Sequence, residues 1–330
     1  MKIAILDDYQ DVVRQLRCFD LLKEHEVKVF QHSASGAGQL AIRLAPFDAI
    51  VLIRERTRLT RAVLNKLPNL KLISQTGKVS GNIDVEAARE LGIAIAEGVG
   101  DPTAPAELTW ALIMAASRRI PTYANLLQQG LWQSSAVKPE LNGLGRVLKG
   151  RRLGIWGYGK IGKLIAGYAR AFGMQVWVWG SEAGRQRAQA DGLETAPDRR
   201  SFFAESDVIT LHLRLNEHTR HLITADDLQA MKSDALLVNT SRAELIAPGA
   251  LLASLDAGRP GFAALDVFET EPLPLQDPLL RRENVLLTPH LGYVEQDSYE
   301  LYFRAAFRNI LAYAAGNPEN LLTPAGRELR

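Results

Sequence analysis

Two series of short β-branched apolar runs, each run separated from the next by a helical pattern, constrain this chain more than any other feature. The first series has five runs, Ile3–Leu6, Val27–Phe30, Ala49–Ile53, Leu70–Ser74 and Ile93–Ala96. Between the last two, Asp84–Leu91 is typical of a helix that ends at Gly92. Strands that alternate with helices at this spacing pair in parallel through right-handed crossovers. We therefore predict one α/β domain in the first hundred residues.

The second series predicts a larger sheet of the same kind. Its runs are Leu153–Trp156, Val176–Trp179, a weak one near Leu193, Val208–Leu213, Ala235–Asn239, Phe262–Val267 and Val285–Thr288. Six or seven strands with helices between them make a full doubly wound sheet. The fold class predicted is thus α/β, with two doubly wound parallel-sheet domains.

Three segments lie outside these series. Pro102–Ile120 has the pattern of a long helix, which could tie the two domains together. Pro121–Lys149 is polar with little periodicity and is the best candidate for an arm or a subunit contact. Glu295–Ala315 is again helical, and in this layout we expect it to return and pack on the first domain.

Composition excludes several classes of protein. Hydrophobic residues make up 47% of the 330 residues, enough for two buried cores. A formal net charge of +2 gives no reason to expect nucleic acid or a membrane as the principal partner. The single cysteine, Cys18, excludes an intramolecular disulfide framework, and no Cys/His spacing predicts a metal site. The longest helical apolar stretch, Leu108–Ala116, is far shorter than the roughly 18 to 20 residues of a membrane span. We expect a cytoplasmic protein.

A glycine-rich turn follows the first strand of the second series. The turn comprises Gly157, Tyr158, Gly159, Lys160, Ile161 and Gly162, and an apolar helical run follows it. In such a turn the first glycine allows the tight bend, the second lets the backbone approach a pyrophosphate, and the third lets helix and strand pack closely. The helix N-terminus then holds the phosphates. Strand, turn, helix and next strand together predict dinucleotide binding.

The end of that next strand bears on the choice between NAD and NADP. An acidic residue normally binds the ribose hydroxyls of NAD there, but this chain has Gly180. Ser181, Arg185 and Arg187 follow, and they favour NADP because arginine binds a 2′-phosphate with charge-assisted hydrogen bonds. In the alternative interpretation Glu182 binds the ribose and the arginines form a solvated helix face.

A nicotinamide dinucleotide that delivers a hydride to a carbonyl also needs a proton donor beside that carbonyl, and histidine is the usual choice. Four of the six histidines stand in polar segments, whereas His212 and His290 follow apolar strands, where ligands bind in open α/β sheets. His212 follows the fourth strand of the second series. That strand is expected beside the first one, where the direction of winding reverses, so we expect His212 beside the cofactor. His290, at the last strand end, is the better catalytic candidate.

Arg242 follows another strand, and a carboxylate-rich segment, Asp266–Glu271, follows a third. A guanidinium matches a substrate carboxylate, and a carboxylate paired with histidine fixes its tautomer.

Four motifs, GYGKIG, VNTSR, ALDVFETEPLP and VLLTPHLG, stand in this order and resemble the D-isomer-specific 2-hydroxyacid dehydrogenase family along nearly the whole chain. The resemblance implies that Arg242, Glu271 and His290 are catalytic and that Asp266 binds the nicotinamide amide. It places Thr240 and Gly292, in two of these motifs, at the cofactor.

The resemblance also implies a domain layout. Residues 1–100 with 294–330 would form a flavodoxin-like substrate-binding domain, and residues 101–293 a Rossmann NAD(P)-binding domain through which the enzyme forms a homodimer. A loop of the first domain, Gly77–Gly81, would bind the substrate carboxylate through backbone amides, including that of Val79.

Some residues depart from the family pattern. Ala243 and Ala247 follow Arg242 where glycine and aspartate are common, and Tyr293 stands where a small residue is common. Arg214 replaces a proline. Lys78 is unexpected in the substrate loop, and with Arg54 and Arg56 it either forms a second anion site, for a dicarboxylate or a phosphorylated keto acid, or faces solvent.

The sequence therefore predicts an NAD(P)-dependent D-2-hydroxyacid dehydrogenase that transfers a hydride at C2 of a small keto or hydroxy acid. Two alternatives share the scaffold. One is a formate dehydrogenase, although that enzyme has glutamine where Glu271 stands. The other is a dinucleotide-sensing corepressor with little turnover.

Overall fold

The computed structural model describes residues 1–34, 36–133 and 143–322. The chain divides into two compact units, one formed by Met1–Asp101 together with the segment from Glu295 onward, and the other by Pro102–Val294. Each unit contains one parallel sheet. The two α/β sheets predicted from the apolar runs are therefore present.

The sheet of the first unit has five strands. They are β1 (Lys2–Ile5), β2 (Glu26–Val29), β3 (Ala49–Leu52), β4 (Leu72–Gln75) and β5 (Ala94–Ala96). Their order, β2-β1-β3-β4-β5, is the flavodoxin-like order, and each neighbouring pair is parallel. Every residue of β3 and β4 is buried, as expected of a parallel sheet covered on both faces.

Three short helices connect these strands, α1 (Ala37–Leu44), α2 (Arg61–Leu64) and α3 (Val85–Glu90). Asp84 begins α3 as its N-cap and accepts a hydrogen bond from the amide of Ala87. Two 3₁₀ turns, Val13–Gln15 and Arg17–Leu22, fill the connection between β1 and β2.

The sheet of the second unit has seven strands, again all parallel. They are β6 (Arg152–Trp156), β7 (Gln175–Trp179), β8 (Glu194–Thr195), β9 (Val208–Leu211), β10 (Leu236–Asn239), β11 (Phe262–Leu265) and β12 (Val285–Leu287). Their order is β12-β11-β10-β9-β6-β7-β8. The direction of winding reverses between β6 and β9, and ligands of doubly wound sheets bind at such a switch point.

In the described residues, seven helices accompany this sheet. They are α4 (Thr103–Ser117), α5 (Ile120–Gln128), α6 (Lys160–Ala171), α7 (Glu182–Ala190), α8 (Arg199–Glu205), α9 (Ala225–Ala230) and α10 (Ala250–Asp256). Two further 3₁₀ turns occupy Ala243–Leu245 and Pro278–Arg281. The predicted helix after Pro102 belongs to this unit, where α4 packs on α6 and β10.

The stretch Pro121–Lys149 differs from its prediction. Its first part is helical in α5, and residues 134–142 lie outside the described residues. The helix was missed because it buries no residue, so its apolar side chains follow no core-facing period. Ile120 and Leu127 of α5 are each more than half exposed, and Trp132 beyond it is 72% exposed.

The last helix, α11 (Gln296–Ala314), returns to the first unit. It packs against the turn Arg17–Leu22 and against β4, where the Ser74 hydroxyl donates to the carbonyl of Ala306 at 2.9 Å. Phe303 and Phe307 of α11 are fully buried. In the described residues no helix is both long and apolar enough to cross a membrane.

Candidate active site

The glycine turn between β6 and α6 has the shape that a dinucleotide needs. Gly157 has a φ of +101°, and a Cβ there would lie 2.6 Å from the carbonyl oxygen of His212. A Cβ on Gly162 would lie 2.6 Å from the carbonyl oxygen of Gly157. Both positions therefore exclude a side chain, the first because of the bend and the second because α6 packs closely on β6.

Gly159 stands in a different environment. A Cβ at this position would meet nothing within 4 Å, so the space above the turn is open. Gly159 precedes α6, and no side chain caps the first turn of that helix, which contains Lys160 and Ile161. Open space at a helix N-terminus fits the pyrophosphate of a dinucleotide, because the amides and the helix dipole favour an anion there.

Tyr158, within the same turn, directs its side chain to structure. The ring is buried, and the hydroxyl donates to Asp191 Oδ2 at 2.9 Å. Burial and the neighbouring Asp191 raise the pKa of Tyr158 to about 12. Lys163 in turn pairs with Asp191 at 2.9 Å. These bonds fix the glycine turn against the end of α7, so the backbone of Tyr158 remains its part of the predicted cofactor contact.

The segment after β7 contains the residues predicted to select the cofactor. Gly180 has a φ of +146°, which favours glycine for backbone reasons alone. Ser181 caps α7 by accepting from the amide of Gly184. The guanidinium of Arg185 stacks on the Trp179 ring at 4.7 Å, and Arg187 donates to the carbonyl of Tyr158 at 3.3 Å. The two arginines therefore have different environments, which the sequence did not distinguish.

His212 and Thr240 lie at the ends of adjacent strands. Thr210 and Nε2 of His212 are joined by a 2.8 Å hydrogen bond, and desolvation lowers the pKa of His212 to about 3. The imidazole of His212 is therefore uncharged at neutral pH. Thr240 shares a 2.7 Å hydrogen bond between hydroxyls with Thr109 of α4.

Arg242 lies in a turn that a buried amide shapes. Asn239, 1% exposed at the end of β10, donates to the carbonyl of Arg242 at 2.8 Å and accepts from the amide of Ser241 at 3.1 Å. The guanidinium donates to the carbonyl of Ser241 at 2.6 Å. Sequence reasoning missed Asn239, although a polar residue ending an otherwise apolar strand was a visible signal.

His290 and Glu271 form the central pair. Nδ1 of His290 lies 2.7 Å from Oε2 of Glu271, while Oε1 of Glu271 accepts from the amide of Phe268 at 2.9 Å. Burial raises the pKa of Glu271, but the hydrogen bond and charge of His290 and the charge of Arg242 more than offset it, so the net pKa lies below its usual value. The carboxylate is therefore ionised at neutral pH.

Asp266 has a structural role that was not predicted. Its carboxylate is fully buried and accepts from the Thr288 hydroxyl at 2.6 Å and from the amides of Leu291 and Gly292 at 2.7 and 3.0 Å. Burial raises the pKa of Asp266, and these bonds oppose the rise. Asp266 thus shapes the turn that contains His290, which has a φ of +53°. Its contact with a nicotinamide amide stays a prediction.

Tyr293 packs edge to face on His290, with ring centroids 5.7 Å apart. Its ring is buried, and Glu271 approaches the imidazole through Nδ1. The residue that departs from the family pattern therefore helps to hold the imidazole.

The loop Gly77–Gly81 of the first unit has an unexpected acidic neighbour. The amide of Val79 donates to Glu97 Oε1 at 2.6 Å, and Lys78 Nζ lies 3.0 Å from Glu97 Oε2. Arg54, with a φ of +51°, lies over the Tyr302 ring at 5.7 Å and against Gly77, where a Cβ would collide with its guanidinium. Across the described ranges no cluster of three His, Cys, Asp or Glu could hold a metal ion.

The fold and the site define a class of protein, the nicotinamide-dependent dehydrogenases. Each unit contains a parallel sheet, and a glycine turn lies at the switch point of the larger one. An arginine, a glutamate and a histidine follow neighbouring strands of that sheet. Residues 110–292 match the model of the D-isomer specific 2-hydroxyacid dehydrogenase, NAD binding domain. The chain belongs to the D-isomer specific 2-hydroxyacid dehydrogenase family, and it is an oxidoreductase acting on CH–OH groups.

Individual relatives span several substrates. The chain is 37% identical to a glyoxylate reductase from Aeropyrum pernix over 79% of its own length and 78% of that protein's. It is 39% identical to a D-3-phosphoglycerate dehydrogenase from Methanocaldococcus jannaschii over 74% of its length, but it covers only 45% of that longer relative. A crystal structure from Ralstonia solanacearum, described as a putative D-3-phosphoglycerate dehydrogenase, is 56% identical over 98% of this chain and 97% of that chain, with a TM-score of 0.95.

Proposed function

We propose that the protein is an NAD(P)-dependent D-2-hydroxyacid dehydrogenase that reduces small 2-keto acids at C2. The observation that carries this proposal is the 2.7 Å hydrogen bond between His290 and Glu271. The charge of Arg242 acts on the same carboxylate and helps to lower the pKa of Glu271. Such a set combines a proton donor, a carboxylate that orients it and a cation for the substrate.

Protonation of the substrate oxygen is the step assigned to His290. A carboxylate only accepts hydrogen bonds, so the hydrogen on Nδ1 is directed to Glu271 and Nε2 is the nitrogen that gives up its proton. Ionised Glu271 stabilises the imidazolium before transfer. A positioned acid of this kind contributes about 10² to 10⁴ in rate.

Arg242 is assigned to the substrate carboxylate and keto oxygen. Its guanidinium is always charged, and a planar fork of donors fits that pair of oxygens. The amides of Gly77–Gly81 other than that of Val79, which donates to Glu97, would bind the carboxylate as well. The bound dihydronicotinamide would supply the hydride, and Asp266, Thr240 and Gly292 remain proposed contacts of the cofactor, together with the glycine turn.

NADP is the cofactor that the segment after β7 favours. The stack of Arg185 on Trp179 supports this choice, because it holds a guanidinium at the strand end where the adenosine ribose of a dinucleotide is bound. Glu182 is the alternative contact, and it would bind the hydroxyls of NAD. Its side chain accepts a hydrogen bond from Gln186 at 3.2 Å.

The quaternary structure proposed is a homodimer formed through the second unit. Several large apolar side chains of that unit are exposed, among them Ile120, Leu127, Trp132, Leu144 and Val147. Exposed apolar side chains of this size support a subunit contact on this unit. The cytoplasm is the proposed location, since the single cysteine, Cys18, is buried and free.

A panel of 2-keto acids, assayed with NADH and with NADPH, tests the proposed function. Glyoxylate, hydroxypyruvate, pyruvate and oxaloacetate should be included, with formate and NAD as a separate arm. We expect reduction of at least one keto acid and no oxidation of formate. Tight dinucleotide binding without turnover of any keto acid would contradict the proposal and favour a dinucleotide-sensing role.

A further inference from the structure

Glu97 supplies the loop Gly77–Gly81 with a carboxylate from within the chain. The side chain of Glu97 accepts from the amide of Val79 through Oε1 and pairs with Lys78 through Oε2. The residue is 8% exposed, whereas the side chain of Lys78 is 51% exposed. One of the amides expected to bind a substrate carboxylate is thus already engaged by an acid.

The backbone on both sides holds Glu97 in place. Its amide donates to the carbonyl of Asn320 at 3.0 Å, and its carbonyl accepts from Asn309 Nδ2 at 3.1 Å. The next residue, Gly98, lies so close to the loop that a Cβ would be 2.8 Å from the amide nitrogen of Gly77. These contacts fix the backbone from which the carboxylate of Glu97 reaches Val79 and Lys78.

Three charged side chains of the described residues lie in the loop or against it. Arg54 lies against Gly77, Lys78 is in the loop, and Glu97 lies beside it, which gives a formal sum of +1. Neutralising Glu97 raises this sum to +2, and neutralising Lys78 lowers it to zero. A bound anion responds to each change in proportion to its own charge.

We propose that Glu97 determines substrate specificity: it cancels the charge of Lys78 and so makes the loop favour a keto acid with one negative charge over one with two. This inference rests on the proposed function, since it assumes that the loop binds the substrate carboxylate. It also gives Lys78 a role other than that of a second anion site, because its ammonium is paired with an internal carboxylate.

The size of the effect follows from Coulomb's law. One unit charge at about 6 Å, in a medium between protein surface and water, changes the affinity of a second unit charge by about tenfold. A substrate with two carboxylates should therefore respond about ten times more strongly than a substrate with one.

The test compares glyoxylate, with one carboxylate, and oxaloacetate, with two. Glu97→Gln keeps an oxygen to accept from Val79 and removes the charge. We expect it to raise the ratio of kcat/KM for oxaloacetate to kcat/KM for glyoxylate about tenfold. Lys78→Gln should lower this ratio, and the double variant should return it close to the wild-type value.

Glu90→Gln is the matched control. Glu90 lies in the same unit, pairs with Arg61 on the surface and loses one charge in the same way. Its ratio should equal that of the wild type. If Glu97→Gln alone fails to fold, as judged by thermal unfolding, Lys78→Gln is compared with the double variant, whose ratio should be about tenfold higher, and an equal ratio would overturn the role of Glu97.

Two results have different meanings. Wild-type protein that reduces no keto acid would remove the proposed function. Wild-type protein that is active, with both kcat/KM values changed equally in Glu97→Gln and Lys78→Gln, would overturn only the role of Glu97.

Discussion

The imidazole of His290 and the carboxylate of Glu271 are joined by a 2.7 Å hydrogen bond, although the two residues are 19 positions apart in the chain. The bond fixes the imidazole tautomer, because only a hydrogen on Nδ1 satisfies it. Asp266 shapes the turn around His290, and the amide of Phe268 holds Glu271. Both partners are therefore held before any substrate binds.

Replacing His290 tests the assigned proton transfer. We expect His290→Gln to lower kcat by at least about 10²-fold, because glutamine has no transferable proton, while the affinity for the reduced cofactor stays nearly unchanged. Steady-state kinetics and cofactor titration measure the two quantities. His218→Gln, at an exposed histidine, should retain full activity. An unimpaired rate in His290→Gln would remove His290 from the mechanism.

Two glycine substitutions separate cofactor binding from folding. In Gly159→Ala the new methyl group meets open space in the structure, so the thermal midpoint should be unchanged, but the dinucleotide affinity should fall at least about tenfold because the methyl group blocks the pyrophosphate. In Gly162→Ala it meets the carbonyl of Gly157, and the midpoint itself should fall. Undiminished affinity in Gly159→Ala would place the cofactor elsewhere.

Arg185 provides the sharper test of cofactor choice. Arg185→Ala should weaken NADPH by about tenfold or more and NADH by less, because only NADPH has a 2′-phosphate for the guanidinium to bind. Arg187→Ala should weaken both, since Arg187 also supports the carbonyl of Tyr158 in the glycine turn. Equal losses in Arg185→Ala, with a specific loss of NADH in Glu182→Gln, would favour NAD.

The exposed apolar side chains of the second unit predict the state of assembly. Sedimentation should show a wild-type dimer at micromolar concentration. The double variant Leu127→Glu with Trp132→Glu should be a folded monomer, because dimer formation would bury the two new carboxylates in the contact. Ile42→Glu, at a still more exposed position of the first unit, should stay dimeric. A wild type that is monomeric at tens of micromolar would contradict the proposed homodimer.

Glu300 predicts how stability changes with pH. The amides of Arg17 and Cys18 donate to its carboxylate; burial raises the pKa of Glu300, but these bonds more than offset it and hold the pKa below its usual value near 4.5. The stabilisation is therefore present above about pH 4.5 and is lost as the pH falls through the folded-state pKa. Glu300→Gln should lower the free energy of unfolding by about 1–3 kcal/mol at pH 7, and in urea titrations this deficit should begin to shrink below about pH 4.5. A deficit independent of pH would contradict this account.

Much of this architecture was predictable because its signals are local. Apolar runs give the strands, and strand, glycine turn and helix follow one another directly from Leu153 to Ala171. Polar residues after successive strands indicated His290 and Arg242, since the ends of parallel strands lie at one edge of a sheet.

The features that the sequence did not predict depend on contacts between residues that are distant in the chain. Asp266 accepts from amides 25 and 26 positions away, and Glu97 reaches back 18 positions to Val79. Side-chain acceptors of backbone amides leave no periodic pattern in a sequence. The different environments of Arg185 and Arg187 likewise depend on which rings and carbonyls fold against α7.

The return of α11 to the first sheet has a genetic consequence. A premature stop codon after residue 294 would leave the whole nucleotide-binding unit intact, but it would strip β4 and the turn Arg17–Leu22 of the helix that covers them. Nonsense mutations within α11 are therefore expected to damage the distant unit that contains β4 rather than the unit that precedes them directly in the chain.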